Sequence, residues 1–109
     1  MIYKYNKLVR DKIPEEIEKQ GKKCKYEILD DEKYSKELDK KLLEEVNEYI
    51  SDHSEKEMAD VQEVLKAIIK YRDIDENRVE ELRKAKEKQK GGFYNKIYLT
   101  EVLEGKNEE

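Results

Sequence analysis

Four acidic residues fall in two pairs of identical spacing, Glu45 with Glu48 and Glu57 with Asp60. Carboxylates three apart share one face of a helix. With Leu38 at zero on a wheel of about 100° per residue, Leu42, Val46, Tyr49, Ile50 and Leu43 span an arc of roughly 0° to 140°. Glu45 falls at about −20°, beside Leu38 and Tyr49, and Glu48 at about −80°, on the same border. Glu44, at about −120°, should face water as a bystander. In the next helix, with Glu57 at zero, Val61, Ile68, Val64, Leu65 and Met58 lie within about 100° of it. Glu57 is then inside the apolar stripe, and Asp60, at about −60°, is on its edge.

The pairs also match across the intervening turn. An antiparallel hairpin folded about position 52.5 sets residue 45 opposite 60 and 48 opposite 57, between helices packed roughly 8–10 Å apart. Four carboxylates meeting there repel one another and raise one another's pKa. A partly buried cluster of this kind needs a counter-charge. An all-oxygen donor set suits a hard divalent cation, Mg²⁺ or Mn²⁺, and Mg²⁺ keeps waters that phosphate oxygens can replace. Ser54-x-x-Glu57 also fits a capping box, which accounts for Glu57 alone but not for Asp60 or for Glu45 beside the apolar arc.

The elements that must hold these residues are helical. Helix two is expected from about Asp31 to Ile50 and helix three from about Glu55 to Arg72, joined by a tight turn at Ser51–Ser54. Pro14 opens a short helix, Glu15 to Gln20, ended by Gly21. A fourth helix runs from about Glu76 to Lys90, capped by Asp75 and stopped by Gly91-Gly92. Residues 24–29 and Phe93 to Val102 alternate and are expected to pair as a small two-stranded β ribbon. The expected fold is mainly α: a helical bundle built on two long antiparallel helices, completed by a second subunit. Residues 1–104 form one domain, and 105–109 a frayed tail.

Nearly the whole chain resembles a family. Glu45-x-x-Glu48 followed by Glu57-x-x-Asp60 on consecutive helices looks like the signature of the MazG-like all-α nucleotide pyrophosphohydrolases, which include dimeric dUTPases and phosphoribosyl-ATP pyrophosphohydrolase. The opening Tyr5-Asn6-Lys7-Leu8-Val9-Arg10-Asp11-Lys12-Ile13-Pro14 resembles the start of one subgroup. The closing Gly91-Gly92-Phe93 with Ile97-Tyr98-Leu99 resembles its end. The resemblance implies that Glu45, Glu48, Glu57 and Asp60 hold Mg²⁺ in a homodimer or homotetramer. It also implies cleavage of a nucleoside triphosphate, canonical base or damaged, between its α and β phosphates, a house-cleaning reaction. Only residues 49–56 separate the two motifs, fewer than in many members, leaving little room there for a base-recognition insert. Among the carboxylates, Glu48 is the candidate to accept a proton from water. Arg10 and Lys12, in the family-like opening, are the candidates to hold pyrophosphate, with Lys7 less secure. Phosphoribosyl-ATP is the rival substrate, and a metal-linked helical interaction module without catalysis is the rival function.

Composition excludes other classes. There are 24 basic and 28 acidic residues, a net charge of −4, so a general nucleic-acid binder is not expected. No stretch approaches the ~18 apolar residues of a membrane span, and the start lacks a signal peptide's apolar region. With one cysteine, Cys24, a cytoplasmic protein without disulfides is expected. Leu, Ile, Val and Phe supply only 25 of 109 residues, so the core should be thin. Asp73-x-Asp75-x-Asn77 begins like a calcium loop, but Arg78 stands where glycine is needed. His53, Cys24, the tyrosines and the run Lys84 to Lys90 are expected to serve turn, packing and surface.

Overall fold

The computed structural model describes residues 1–105, which fold into four helices with no strand among the described residues. They are α1 (Ile13–Lys19), α2 (Asp31–Ser51), α3 (Glu55–Tyr71) and α4 (Glu76–Lys90). The chain divides into two units, one from Met1 to Ile74 and one beginning at Asp75. No helix is long and apolar enough to cross a membrane.

Capping side chains fix the helix starts. Asp30 accepts from the Lys33 N–H at 2.9 Å, Ser54 from Glu57 at 3.2 Å, and Asp75 from Asn77 and Arg78 at 3.0 and 3.2 Å. Each satisfies a donor that the first turn leaves unpaired, worth about 1 kcal/mol. Pro14 lies in the first turn of α1, where a missing N–H costs nothing. Gly91 ends α4 at φ 86°, a conformation that favours glycine.

In the first unit α2 and α3 pack as an antiparallel hairpin across the short turn at 52–54. The seam is thin. Leu38, 3% exposed, and Val64, 8% exposed, are the buried apolar residues, flanked by half-buried Leu42, Val46, Val61 and Ile68. The end away from the turn is tied by polar and aromatic contacts. The Tyr71 hydroxyl donates to the Asp31 carbonyl at 3.0 Å, and its ring meets Tyr34 edge-on at 5.1 Å. Arg72 lies over the Tyr71 ring and donates to the Ser35 hydroxyl at 2.9 Å. Residues 1–12 are irregular and reach the hairpin through Lys7 and Arg10.

In the second unit α4 has no buried residue. It carries charge pairs along its own surface, Arg83 with Glu80 at 2.8 Å and Arg78 with Glu81 at 3.3 Å. Such pairs, open to water, add little to the stability of a helix that buries none of its own side chains.

The expected β ribbon does not form. Lys96 adopts φ 61°, which breaks an extended run, and its N–H turns back to the Phe93 carbonyl. Tyr26, Ile28, Tyr94 and Tyr98 are all exposed, so the alternation has no buried face to favour pairing. The helix boundaries fall within two residues of expectation. Most of the tail expected to fray, residues 106–109, lies outside the described residues.

Because the seam has so few buried apolar groups, Leu38→Ala should lower unfolding free energy by about 2–4 kcal/mol in a urea titration. Lys36→Ala, on the exposed face of α2, should change it by less than about 0.5 kcal/mol.

Candidate functional site

Glu45 is 7% exposed and shares the seam of α2 with Leu38. The 100° step that buries Leu38 carries Glu45 inward two turns later. Opposite it, α3 presents Glu57 and Asp60, both half-buried. One carboxylate oxygen from each of Glu45, Glu57 and Asp60 lies within 4.8 Å of the others. Three of the four carboxylates expected to converge therefore do so. Glu48 is exposed at the rim, one helical turn from Glu45 and close enough to act on its carboxyl.

The two readings of Glu57 separate here. The Ser54 hydroxyl accepts from the Glu57 N–H, one half of a capping box. The Ser54 N–H, however, donates to the Asp52 carbonyl at 2.6 Å rather than to Glu57. The Glu57 side chain is left to the cluster, and its buried Oε2 has no hydrogen-bond partner. A buried acceptor without a partner costs about 1–3 kcal/mol.

Burial chiefly pushes the Glu45 carboxyl above the ordinary range, and Glu48 and Asp60 push the same way. Lys41 opposes them. Arg10 Nη2 donates to Asp60 Oδ1 at 2.8 Å, bringing one cation to the cluster's edge. Lys12 stands at the N-cap of α1, exposed and without the contacts that Lys7 and Arg10 make to the hairpin.

Glu44 is more than a solvent-facing bystander. It is half-buried and clamped between Lys7 and Lys41, the latter at 2.9 Å. The bond from Lys7, then that from Lys41, holds its carboxyl below the usual range, and Glu44 in turn holds the Lys7 ammonium above its own. The three-residue spacing of Lys41 and Glu44 was readable in the sequence. Lys7 comes from an irregular segment, for which periodicity predicts no position. An open groove of about 720 Å³ runs along α2 past Lys40, Leu43, Asn47 and Glu48 to Glu57. His53, expected in a solvated turn, is exposed and rests against the Tyr49 ring at 5.1 Å.

No family model, curated protein or solved structure matches this chain.

A carboxyl whose folded pKa is raised contributes stability that is present below its unfolded value, ~4.3, and is lost as pH rises through the folded value. Without divalent cations, Glu45→Gln should therefore be more stable than the wild type at pH 7.5. The advantage should shrink as pH falls toward 4. Each kcal/mol relieved should raise the melting temperature by about 4–8 °C. Paired thermal melts in EDTA across this range check both the sign and the slope.

Proposed function

We propose that the chain is a Mg²⁺-dependent nucleoside triphosphate pyrophosphohydrolase of the MazG-like all-α type, releasing a monophosphate and pyrophosphate. The observation that carries this reading is the convergence of Glu45, Glu57 and Asp60 at the seam, with Glu57 Oε2 buried and unpartnered. The donor set fits a hard divalent cation, Mg²⁺ or Mn²⁺: all oxygen, negatively charged, and drawn from two helices. Glu48 at the rim would complete it. When bound, the cation supplies charge neutralisation of the polyphosphate and an acidified water.

The chain's own groups have separate tasks. Glu48 is exposed in the groove that leads to Glu57, where it can accept the proton of an attacking water. Arg10, already beside Asp60, has the planar fork that grips phosphate oxygens in pairs. Lys7 reaches α2 through its ion pair with Glu44 and is a better second cation than Lys12, which stands at the N-cap of α1 without such a pair. The groove is open, whereas small-molecule sites enclose most of their ligand. A second copy of the chain would supply the missing wall, giving a homodimer or homotetramer. The exposed Leu43, Ile50, Met58 and Leu65 are apolar surface for such a contact. These same residues favour the second reading, a metal-linked interaction module without turnover.

Incubation with a panel of canonical and damaged triphosphates and with phosphoribosyl-ATP, plus Mg²⁺, should release pyrophosphate from at least one compound. Glu57→Gln should lower the rate about 100-fold or more, and EDTA should abolish it. Release no greater than that of Glu57→Gln overturns the enzyme. A Mg²⁺-dependent rise in melting temperature or in assembly without turnover selects the interaction module. Sedimentation at micromolar concentration should give a dimer or tetramer, and a monomer throughout overturns the second copy.

A further inference from the structure

We infer that the Arg10–Asp60 ion pair is a competitive latch on the carboxylate cluster: the guanidinium occupies Asp60 until a divalent cation displaces it. The inference rests on the metal reading above and concerns how that site is controlled.

Three observations lead to it. First, Asp60 belongs to the converging trio, and its Oδ1 is already engaged by Arg10 Nη2 at 2.8 Å. A cation drawing on Asp60 draws on the same carboxylate charge that holds Arg10, and it repels the guanidinium beside it. Second, the pair is easily parted. The Arg10 side chain is 55% exposed, and ion pairs open to water contribute little. Third, the release needs no rearrangement of the backbone. The Arg10 carbonyl accepts from the Ile13 N–H at 3.0 Å, which pins the main chain at the entrance to α1. Rotation of the side chain alone frees the guanidinium.

The electrostatics set the order of events. A single guanidinium at the edge of three carboxylates offsets only part of their charge, and Glu57 Oε2 stays unpartnered. A divalent ion placed among them offsets more, and removes the attraction that held Arg10 to Asp60. Arg10 then stands beside the site with its N–H donors open to an incoming anion. Cation first and polyphosphate second follows from charge balance, because an anion arriving earlier meets bare carboxylates.

The latch gives Arg10 opposite effects on the two ligands, which a merely structural residue would not have. Mn²⁺ is titrated into the full chain without nucleotide, and binding is followed by calorimetry. Arg10→Gln should bind Mn²⁺ about two- to fivefold more tightly than the wild type. Arg10→Lys, which keeps the charge but loses the fork, should fall between them. In an Asp60→Asn background the substitution at Arg10 should bring no gain. Inorganic pyrophosphate added to the Mn²⁺-loaded protein should bind more weakly to Arg10→Gln than to the wild type. Circular dichroism in EDTA checks that each variant is folded. Equal or weaker Mn²⁺ binding by both Arg10 variants, with binding to the wild type intact, overturns the latch and leaves the metal site standing. No Mn²⁺ binding by any form overturns the metal site, and the latch with it.

Discussion

Glu45 occupies the seam that joins α2 to α3, between apolar neighbours and 7% exposed. An unpaired carboxylate is poorly tolerated in such a place, because burial removes the water that stabilises its charge. Its carboxyl is driven upward chiefly by that burial, and the acidic groups Glu48 and Asp60 drive it further. Much of the unit's remaining polar architecture lies around this point. Lys41 is on the same helix, Arg10 holds Asp60, and Lys7 comes from the irregular segment to hold Glu44. The cations sit at the border of the cluster, which leaves its centre negative.

A thin core makes that arrangement consequential. Among the described residues only Leu38 and Val64 are buried apolar residues, so the hairpin relies on its ends as well as its middle. The Ser54 cap fixes the turn end, and the Tyr71–Asp31 bond with the Tyr34–Tyr71 ring contact fixes the other. With both ends held, the helices cannot slide, and residues 45, 57 and 60 stay in register. Register is what converts three separate side chains into one site.

Much of this was legible in the residues. The 3.6-residue period placed both long helices, and the caps Asp75 and Ser54 were readable as such because capping is a local interaction. The inward lean of Glu45 followed from its angle to Leu38, and the pairing of 45 with 60 from the shortness of the turn. Periodicity says nothing about an irregular segment, so the positions of Lys7 and Arg10 on the hairpin were not derivable. Glu44 was misplaced for the same reason: its wheel angle faces away from α3, but Lys7 and Lys41 bind it there and leave it half-buried. Glu48, nearer the border, stays exposed. The β ribbon failed because alternation alone does not make strands when neither face is buried.

A glutamate among so few core positions also bears on what the site is for. Replacing a buried charge by an apolar group of similar size is commonly neutral or stabilising. Fold alone therefore gives no reason for a carboxylate at residue 45, where a leucine would widen a narrow seam. Nor does capping give a reason for the Glu57 side chain, since the Ser54 N–H is already bonded elsewhere. Two acids from different helices, neither needed by the element that carries it, point their oxygens at one another and at Asp60. Local structure explains the backbone at each position and leaves the charges over. The proposed divalent cation would account for all of them with a single interaction.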